Sequence, residues 1–220
     1  MRLRFNKKAV ELLNEDRDFF VQTNEVNNLD PNKLFNNNNP IHLEIGSGKG
    51  DFIIQMAVKY PNINFIGLEK NETVLAKALK KAQQVQHLTN LKLISYDAKE
   101  LLTLFMPHKF DQIYLNFSDP WPKARHEKRR LTHPNFLKIY QTLLINDNCH
   151  IEFKSDNDSL YDYTYELLNT NQDKYIIHYH TTDLYHHLDE YNNANNVATE
   201  YEKKFHSLNK NIYKIVFSYK

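Results

Sequence analysis

Three of the chain's four glycines crowd into Gly46-Ser47-Gly48-Lys49-Gly50, directly after the apolar run IHLEI and one residue before FIIQMAVKY. Glycine at that density marks backbone that turns sharply and lets a ligand approach its peptide groups. A strand, a glycine turn and a helix, in that order, form the frame in which nucleotide-type ligands are held. A dinucleotide fingerprint would require glycine immediately after Gly50, where the chain instead has Asp51. An anion at a helix N-terminus occupies the place a pyrophosphate would need, so NAD is disfavoured and a ligand without phosphate fits better.

Acids stand at the ends of three successive apolar runs: Glu44 ahead of the turn, Glu69 after NFIGL and Asp97 after LKLIS. A single acid in such a place is often solvated or a helix cap. Three of them in order around one glycine turn suit S-adenosylmethionine, whose cationic sulfonium and amino group seek carboxylates and carbonyls and whose ribose offers two hydroxyls. Glu44 then opens the turn and Gly46, Ser47, Gly48 and Gly50 supply its backbone. Glu69 accepts from the ribose hydroxyls, as the corresponding acid does in related sites, and Asp97 borders the adenine.

A second constellation follows the fourth run: Asn116-Phe-Ser-Asp119-Pro-Trp121-Pro-Lys123-Ala-Arg125-His126-Glu127-Lys128-Arg129-Arg130. The carboxyl ends of strands in open α/β sheets border the ligand crevice, which points Asp119 at a substrate. Two prolines stiffen the segment around Trp121, the chain's single tryptophan, and suit it to holding a planar base. Alone, the basic run is a solvated face. Beside the Asp-Pro-Trp turn it reads as an RNA site, in which Arg and Lys fix phosphates while the aromatic ring contacts a base.

The elements that must position these groups are legible from about residue 41. IHLEI, NFIGL, LKLIS, DQIYLNF, CHIEF, YIIHYH and IYKIVFSY alternate with amphipathic stretches, the pattern of βαβ units and a parallel sheet. Val74, Leu75, Ala78, Leu79, Ala82 and Val85 recur at helical spacing, with Lys77, Lys80 and Lys81 turned away. Residues 1–40 read as a basic arm and linker, with DPNKLFNNNNP as loop, and 41–220 as one α/β domain. The polar stretch from Thr181 to Asn196 reads as a mobile loop. Lys+Arg 28 against Asp+Glu 27 gives a net charge of +1, so nucleic-acid affinity must come from local patches: Arg2, Arg4, Lys7 and Lys8, and the 123–130 run. One cysteine, Cys149, excludes an intrachain disulfide framework and fits a reducing cytoplasm. No apolar run is long enough for a membrane span. His178, His180, His186 and His187 lack a convincing ligand set, so no metal is expected.

From IHLEI onward the chain resembles the class I S-adenosylmethionine-dependent methyltransferases, whose opening motif is an acid followed by G-x-G-x-G. The stretch from Asp119 to Arg130 resembles the D-P-W-P/H-K-x-R-H-x-K-R-R signature of the bacterial tRNA (guanine-N7-)-methyltransferases. EIGSGKG, GLEKN, SYDA, LNFSDPWPKARHEKRRLT, FKSDN and TEYEKKF appear in that family's order and spacing across nearly the whole chain. The resemblance implies a Rossmann-like fold with a mostly parallel seven-stranded sheet, helices on both faces and the last strand antiparallel. It implies Glu44, Glu69, Asp97 and Asp119 around the cofactor, Asp119 as catalytic residue, and Lys123, Asp156 and Thr199-Glu200-Tyr201-Glu202 at the substrate.

The reaction implied is methylation of guanine N7 at guanosine 46 of the tRNA variable loop, with S-adenosylhomocysteine as product. Pro122 is the form similar to Gram-positive members, which implies a homodimer. Thr199 to Glu202 also spells a capping box, and Asp156 suits the cap of the helix after FKS. Two other readings are a methyltransferase for a non-tRNA acceptor and a catalytically silent RNA-binding module on the same fold. The basic segment speaks against the first, and the intact Glu44, glycines and Asp119 against the second.

Overall fold

The computed structural model describes residues 6–23, 27–107 and 109–220, so the basic positions Arg2 and Arg4 lie outside the described residues. The chain divides into two compact units, Met1–Phe110 and Asp111–Lys220.

In the first unit, α1 (Lys7–Glu15) is capped by Asn6 and buries Ala9 and Leu13. Asp16 then accepts from the amides of Phe19 and Phe20 at 2.7 and 2.8 Å, steering the chain into β1 (Phe20–Val21). There follow β2 (Ile41–Ile45), α2 (Asp51–Lys59), β3 (Asn64–Leu68), α3 (Glu72–Ala82), β4 (Leu91–Ile94) and the short α4 (Leu101–Leu104). The strand order is β1-β4-β3-β2 and the pairings are parallel. Parallel strands covered on both faces read as continuous apolar runs, and all of β3 is buried.

Along α3, Leu75, Ala76, Ala78, Leu79 and Ala82 are buried. Lys77 and Lys80 are exposed as expected. Lys81 is not turned away; its Nζ lies 2.5 Å from Asp51 Oδ1, tying the last turn of α3 to the first residue of α2. The Asn-rich stretch is more than loop. Asp30 caps a 3-10 turn at Pro31–Leu34, and Asn37 Oδ1 accepts from Asn64 Nδ2 at 2.7 Å, fastening the start of β3.

The second unit holds β5 (Gln112–Asn116), α5 (Pro134–Leu143), β6 (His150–Ser155), α6 (Asp158–Thr170), β7 (Tyr175–Thr181), α7 (Glu200–His206) and β8 (Tyr213–Tyr219). Its order is β5-β6-β8-β7; β5 and β6 are parallel, and β8 runs antiparallel to both neighbours. The architecture is thus the expected mostly parallel α/β type with its last strand reversed. It has eight strands rather than seven. The added one, β1, pairs through Phe20↔Leu93 and Val21↔Ile94 only, too short a stretch for any periodicity to register.

Asn157, not Asp156, caps α6, accepting from Leu160 N at 2.9 Å. The stretch from Thr181 to Asn196 is fastened rather than loose. Leu184 and Asn193 are fully buried. Asn193 donates to the His187 carbonyl at 2.8 Å and accepts from Lys214 Nζ at 3.1 Å. His178 contacts Ser218, His180 contacts Tyr161 and His187 contacts Glu190. Among the described residues no group of three or more His, Cys, Asp or Glu is arranged to hold a metal, and no helix is long and apolar enough to cross a membrane.

Candidate functional site

In the first unit the glycine turn is a left-handed excursion: Gly46, Gly48 and Gly50 have φ of 81°, 57° and 77°. The amides of Gly46 and Ser47 converge on the Leu68 carbonyl at 2.8 and 2.9 Å, so the turn is pinned to the end of β3. Glu69, the next residue, bridges outward from there. Its Oε2 accepts from Gly48 N at 3.1 Å and its Oε1 from Asn71 N at 2.8 Å, fixing the carboxylate between the turn and the start of α3. Glu44 is buried, at 2 % exposure, opposite Gly67 of β3.

Ser47 Oγ is also buried and, among the described residues, has no hydrogen-bond partner. It overlooks Gly67, where a Cβ would stand 3.2 Å from it. Asp97 caps the turn Ala98–Glu100, and its other oxygen lies 2.5 Å from Lys70 Nζ. Burial works to raise the Asp97 carboxyl, but the hydrogen bonds from Lys70 and the Lys99 amide outweigh it, leaving the group below its ordinary range and ionised.

These groups fit the cofactor expected from the sequence. A buried hydroxyl lacking a partner is costly unless a ligand satisfies it, and Ser47 offers one next to the Gly48 amide that Glu69 holds. The glycines differ in purpose. A Cβ at Gly50 would stand 2.8 Å from Ala78 Cβ, so that glycine lets α2 approach α3. A Cβ at Gly48 would meet nothing within 4 Å. Gly48→Val therefore strains the left-handed backbone by about 1–3 kcal/mol and places bulk on the open side of the turn. The expected result is a folded protein that no longer binds S-adenosylhomocysteine by calorimetry; unchanged affinity would remove the turn from the site.

In the second unit the chain leaves β5 through two left-handed, non-glycine residues, Phe117 (φ 51°) and Trp121 (φ 42°). Each such conformation costs on the order of 1–3 kcal/mol and persists only where its surroundings enforce it. Phe117 is held by its amide, which donates to the Lys154 carbonyl at 2.9 Å, and its ring lies 5.3 Å from that of Tyr201. Asp119 is exposed on the turn between them. Burial raises the Tyr201 phenol; Asp156, which accepts its hydrogen bond, and nearby Asp119 raise it further. Asp156 and Asp119 thus both act on the Tyr201 phenol, and the Phe117–Tyr201 ring contact ties the turn after β5 to α7.

The basic run forms a 3-10 turn, Ala124–Arg129. Lys123, Arg125, Lys128 and Arg129 are exposed, whereas His126, Glu127 and Arg130 are half-buried. His126 meets the Trp121 ring edge-on at 5.6 Å, and the Arg129 guanidinium lies 4.9 Å over it.

The segment Thr199-Glu200-Tyr201-Glu202 separates by side chain. Thr199 caps α7, accepting from Glu202 N at 2.8 Å. Glu200 and Tyr201 are exposed. Glu202 turns inward instead: its carboxylate and the Lys154 ammonium are fully buried, 2.8 Å apart. Tyr185 OH and Asn196 Nδ2 also donate to Glu202, at 3.2 and 2.6 Å. Its carboxylate is thus engaged by three donors within the protein. Lys154, Phe117 and Tyr163 are site-building residues the sequence reading did not single out. Lys154 lies within the strand-like CHIEFKS, which marks it as a strand residue without marking it as buried.

A parallel α/β frame opened by a buried acid and a glycine turn is that of the α/β methyltransferases. Solved structures share the fold: the 16S rRNA methyltransferase KamB at TM-score 0.62, with 10% identity, covering 85% of this chain and 91% of its own, and an antibiotic-related methyltransferase at TM-score 0.59, with 19% identity, covering 86% and 92%. A family model described as "Putative methyltransferase" matches residues 38–215. A tRNA (guanine-N(7)-)-methyltransferase of Mycoplasma capricolum is 48% identical over 98% of both chains. The protein of that name from Lysinibacillus sphaericus is 39% identical over 98% of this chain and 96% of its own. The chain belongs to the tRNA (guanine-N7-)-methyltransferase family.

Proposed function

We propose that the protein transfers a methyl group from S-adenosylmethionine to N7 of guanine in tRNA, with guanosine 46 of the variable loop as its target, in the cytoplasm and as a homodimer. The observation that carries this reading is the turn after β5, which packs Phe117 on the Tyr201 ring, leaves Asp119 exposed and continues into a cationic 3-10 turn.

Guanine N7 has an in-plane lone pair and no proton, so no base need deprotonate it. The protein's task is positioning. Asp119 and Asp156 are suited to accept from guanine N1–H and the exocyclic amine, donors that adenine does not present in that pattern, and an ionised Asp119 offsets positive charge developing on the purine. Tyr201 and Trp121 offer ring faces to an unstacked base. When bound, S-adenosylmethionine would supply an electrophilic methyl on a sulfonium sulfur, with S-adenosylhomocysteine as the product. Glu44, Ser47, Glu69, Asp97 and the glycine amides are the groups that would hold it.

Incubation with methyl-labelled cofactor and bulk unmodified tRNA, then digestion to nucleosides, should place label in N7-methylguanosine. Label in another nucleoside, or none, would reject the proposal. Fragment mapping tests position 46. Exposed Arg125 and Lys128 are read as phosphate contacts. Arg125→Ala/Lys128→Ala should therefore reduce the slope of log affinity for tRNA against log salt by about two units, with cofactor affinity unchanged. An unaltered slope would leave the run as a solvated face.

A further inference from the structure

Adjacent arginines at 129 and 130 look interchangeable in sequence, but the fold separates them. Arg129 is exposed above the Trp121 ring. Arg130 turns back beneath the same turn. Its Nε donates to the Pro120 carbonyl at 3.2 Å and an Nη donates to the Trp121 carbonyl at 3.3 Å. The face of the same guanidinium lies 4.3 Å over the Tyr163 ring on α6. Tyr163 OH in turn donates to Glu127 at 3.1 Å, in the same 3-10 turn.

We propose that Arg130 is a positioning residue: it clamps the Pro120 and Trp121 carbonyls against α6 and thereby holds Asp119 and Trp121 in the conformation that receives the base. Three features favour this over a phosphate contact. Two of the guanidinium's donors and its face are already directed into the protein. The backbone it grips is strained, since Trp121 sits at φ 42° between two prolines, and such a residue relaxes once its restraints are removed. Only a planar, forked cation can reach two carbonyls while stacking on a ring; an ammonium keeps the charge and loses the geometry.

The inference rests on the reading of Asp119 as the residue that meets guanine. Its test has a readout that does not depend on that reading, because Trp121 is the chain's only tryptophan. In the full-length protein without tRNA, Arg130→Lys should lower the anisotropy of Trp121 fluorescence and shift its emission to the red, with the circular dichroism unchanged. With tRNA, it should lower kcat by about tenfold to a hundredfold, the scale of a displaced reacting group, while KM changes little and the salt slope of binding stays at the wild-type value. Arg129→Ala should instead remove about one unit of that slope.

Tyr163→Leu, which removes the platform and spares Arg130, should reproduce the Trp121 signal of Arg130→Lys. A wild-type Trp121 signal in both variants would overturn the clamp, whatever the acceptor proves to be. So would rescue of kcat by lysine, or loss of a unit of salt slope in Arg130→Lys. If wild-type protein fails to methylate tRNA but both variants release Trp121, the clamp stands and the proposed acceptor falls.

Discussion

Asp119→Asn should slow the methyl-transfer step in single turnover by about a hundredfold, the usual cost of losing one electrostatic partner of a transition state. Asparagine keeps the size of the side chain and presents an amide donor where guanine's own donors point. Asp119 is exposed, so folding stability should stay within about 0.5 kcal/mol of wild type, and any loss of rate belongs to the chemistry. The wild-type single-turnover rate should be flat across neutral pH because N7 carries no proton. A rise through neutrality would mean that a proton is being removed and that the acceptor is another atom. Near-wild-type turnover by the asparagine variant would reduce Asp119 to a turn residue.

Lys154→Ala should destabilise the protein by about 3–5 kcal/mol, because it leaves the Glu202 carboxylate buried without its cation. The loss extends beyond the pair. Lys154 Nζ also donates to Asn196 Oδ1 at 3.0 Å and to the Val197 carbonyl at 3.1 Å, so it gathers the end of the Thr181–Asn196 stretch and the start of α7 onto β6. Lys154→Met/Glu202→Leu should recover most of the stability, since a buried pair replaced by apolar groups is often neutral. Denaturant melts of the two single variants and the double variant measure this coupling. Additive losses in the double variant would show that the ion pair does not organise the segment.

The parts of the molecule legible in the sequence are those where chemistry restricts residue type. The glycine turn and its neighbouring acids stand out because left-handed backbone selects glycine and strand-end acids are conspicuous after apolar runs. The seven longer strands announce themselves for the same reason. What was not legible depends on orientation. Alternation along Phe153-Lys154-Ser155 gives no sign that the lysine is fully buried. Glu200 and Glu202 occupy one short motif, yet one is exposed and the other forms the core ion pair. Arg129 and Arg130 share charge and neighbours but diverge because Arg129 ends the 3-10 turn whereas Arg130, its C-cap, has extended backbone (φ −63°, ψ 132°). Ser47 looks like a loop serine until the close approach of Gly67 isolates its hydroxyl.

The order of strands in the second unit also sets a sequence of events. β8 is made after β7 yet lies between β6 and β7, pairing Ile151 with Phe217 on one side and Tyr175 with Tyr219 on the other. As the ribosome extends the chain, β6 and β7 emerge with open edges and must wait for the strand that joins them. Contacts between distant parts of a chain form late, because loop closure must precede them. Thr181–Asn196 and α7 lie in the chain between β7 and β8, so Glu202 can settle on Lys154 only as this crossover takes shape. The segment that must cross over before β8 can complete the sheet is thus also the one that carries Tyr201, so the proposed acceptor cluster depends on the same late closure.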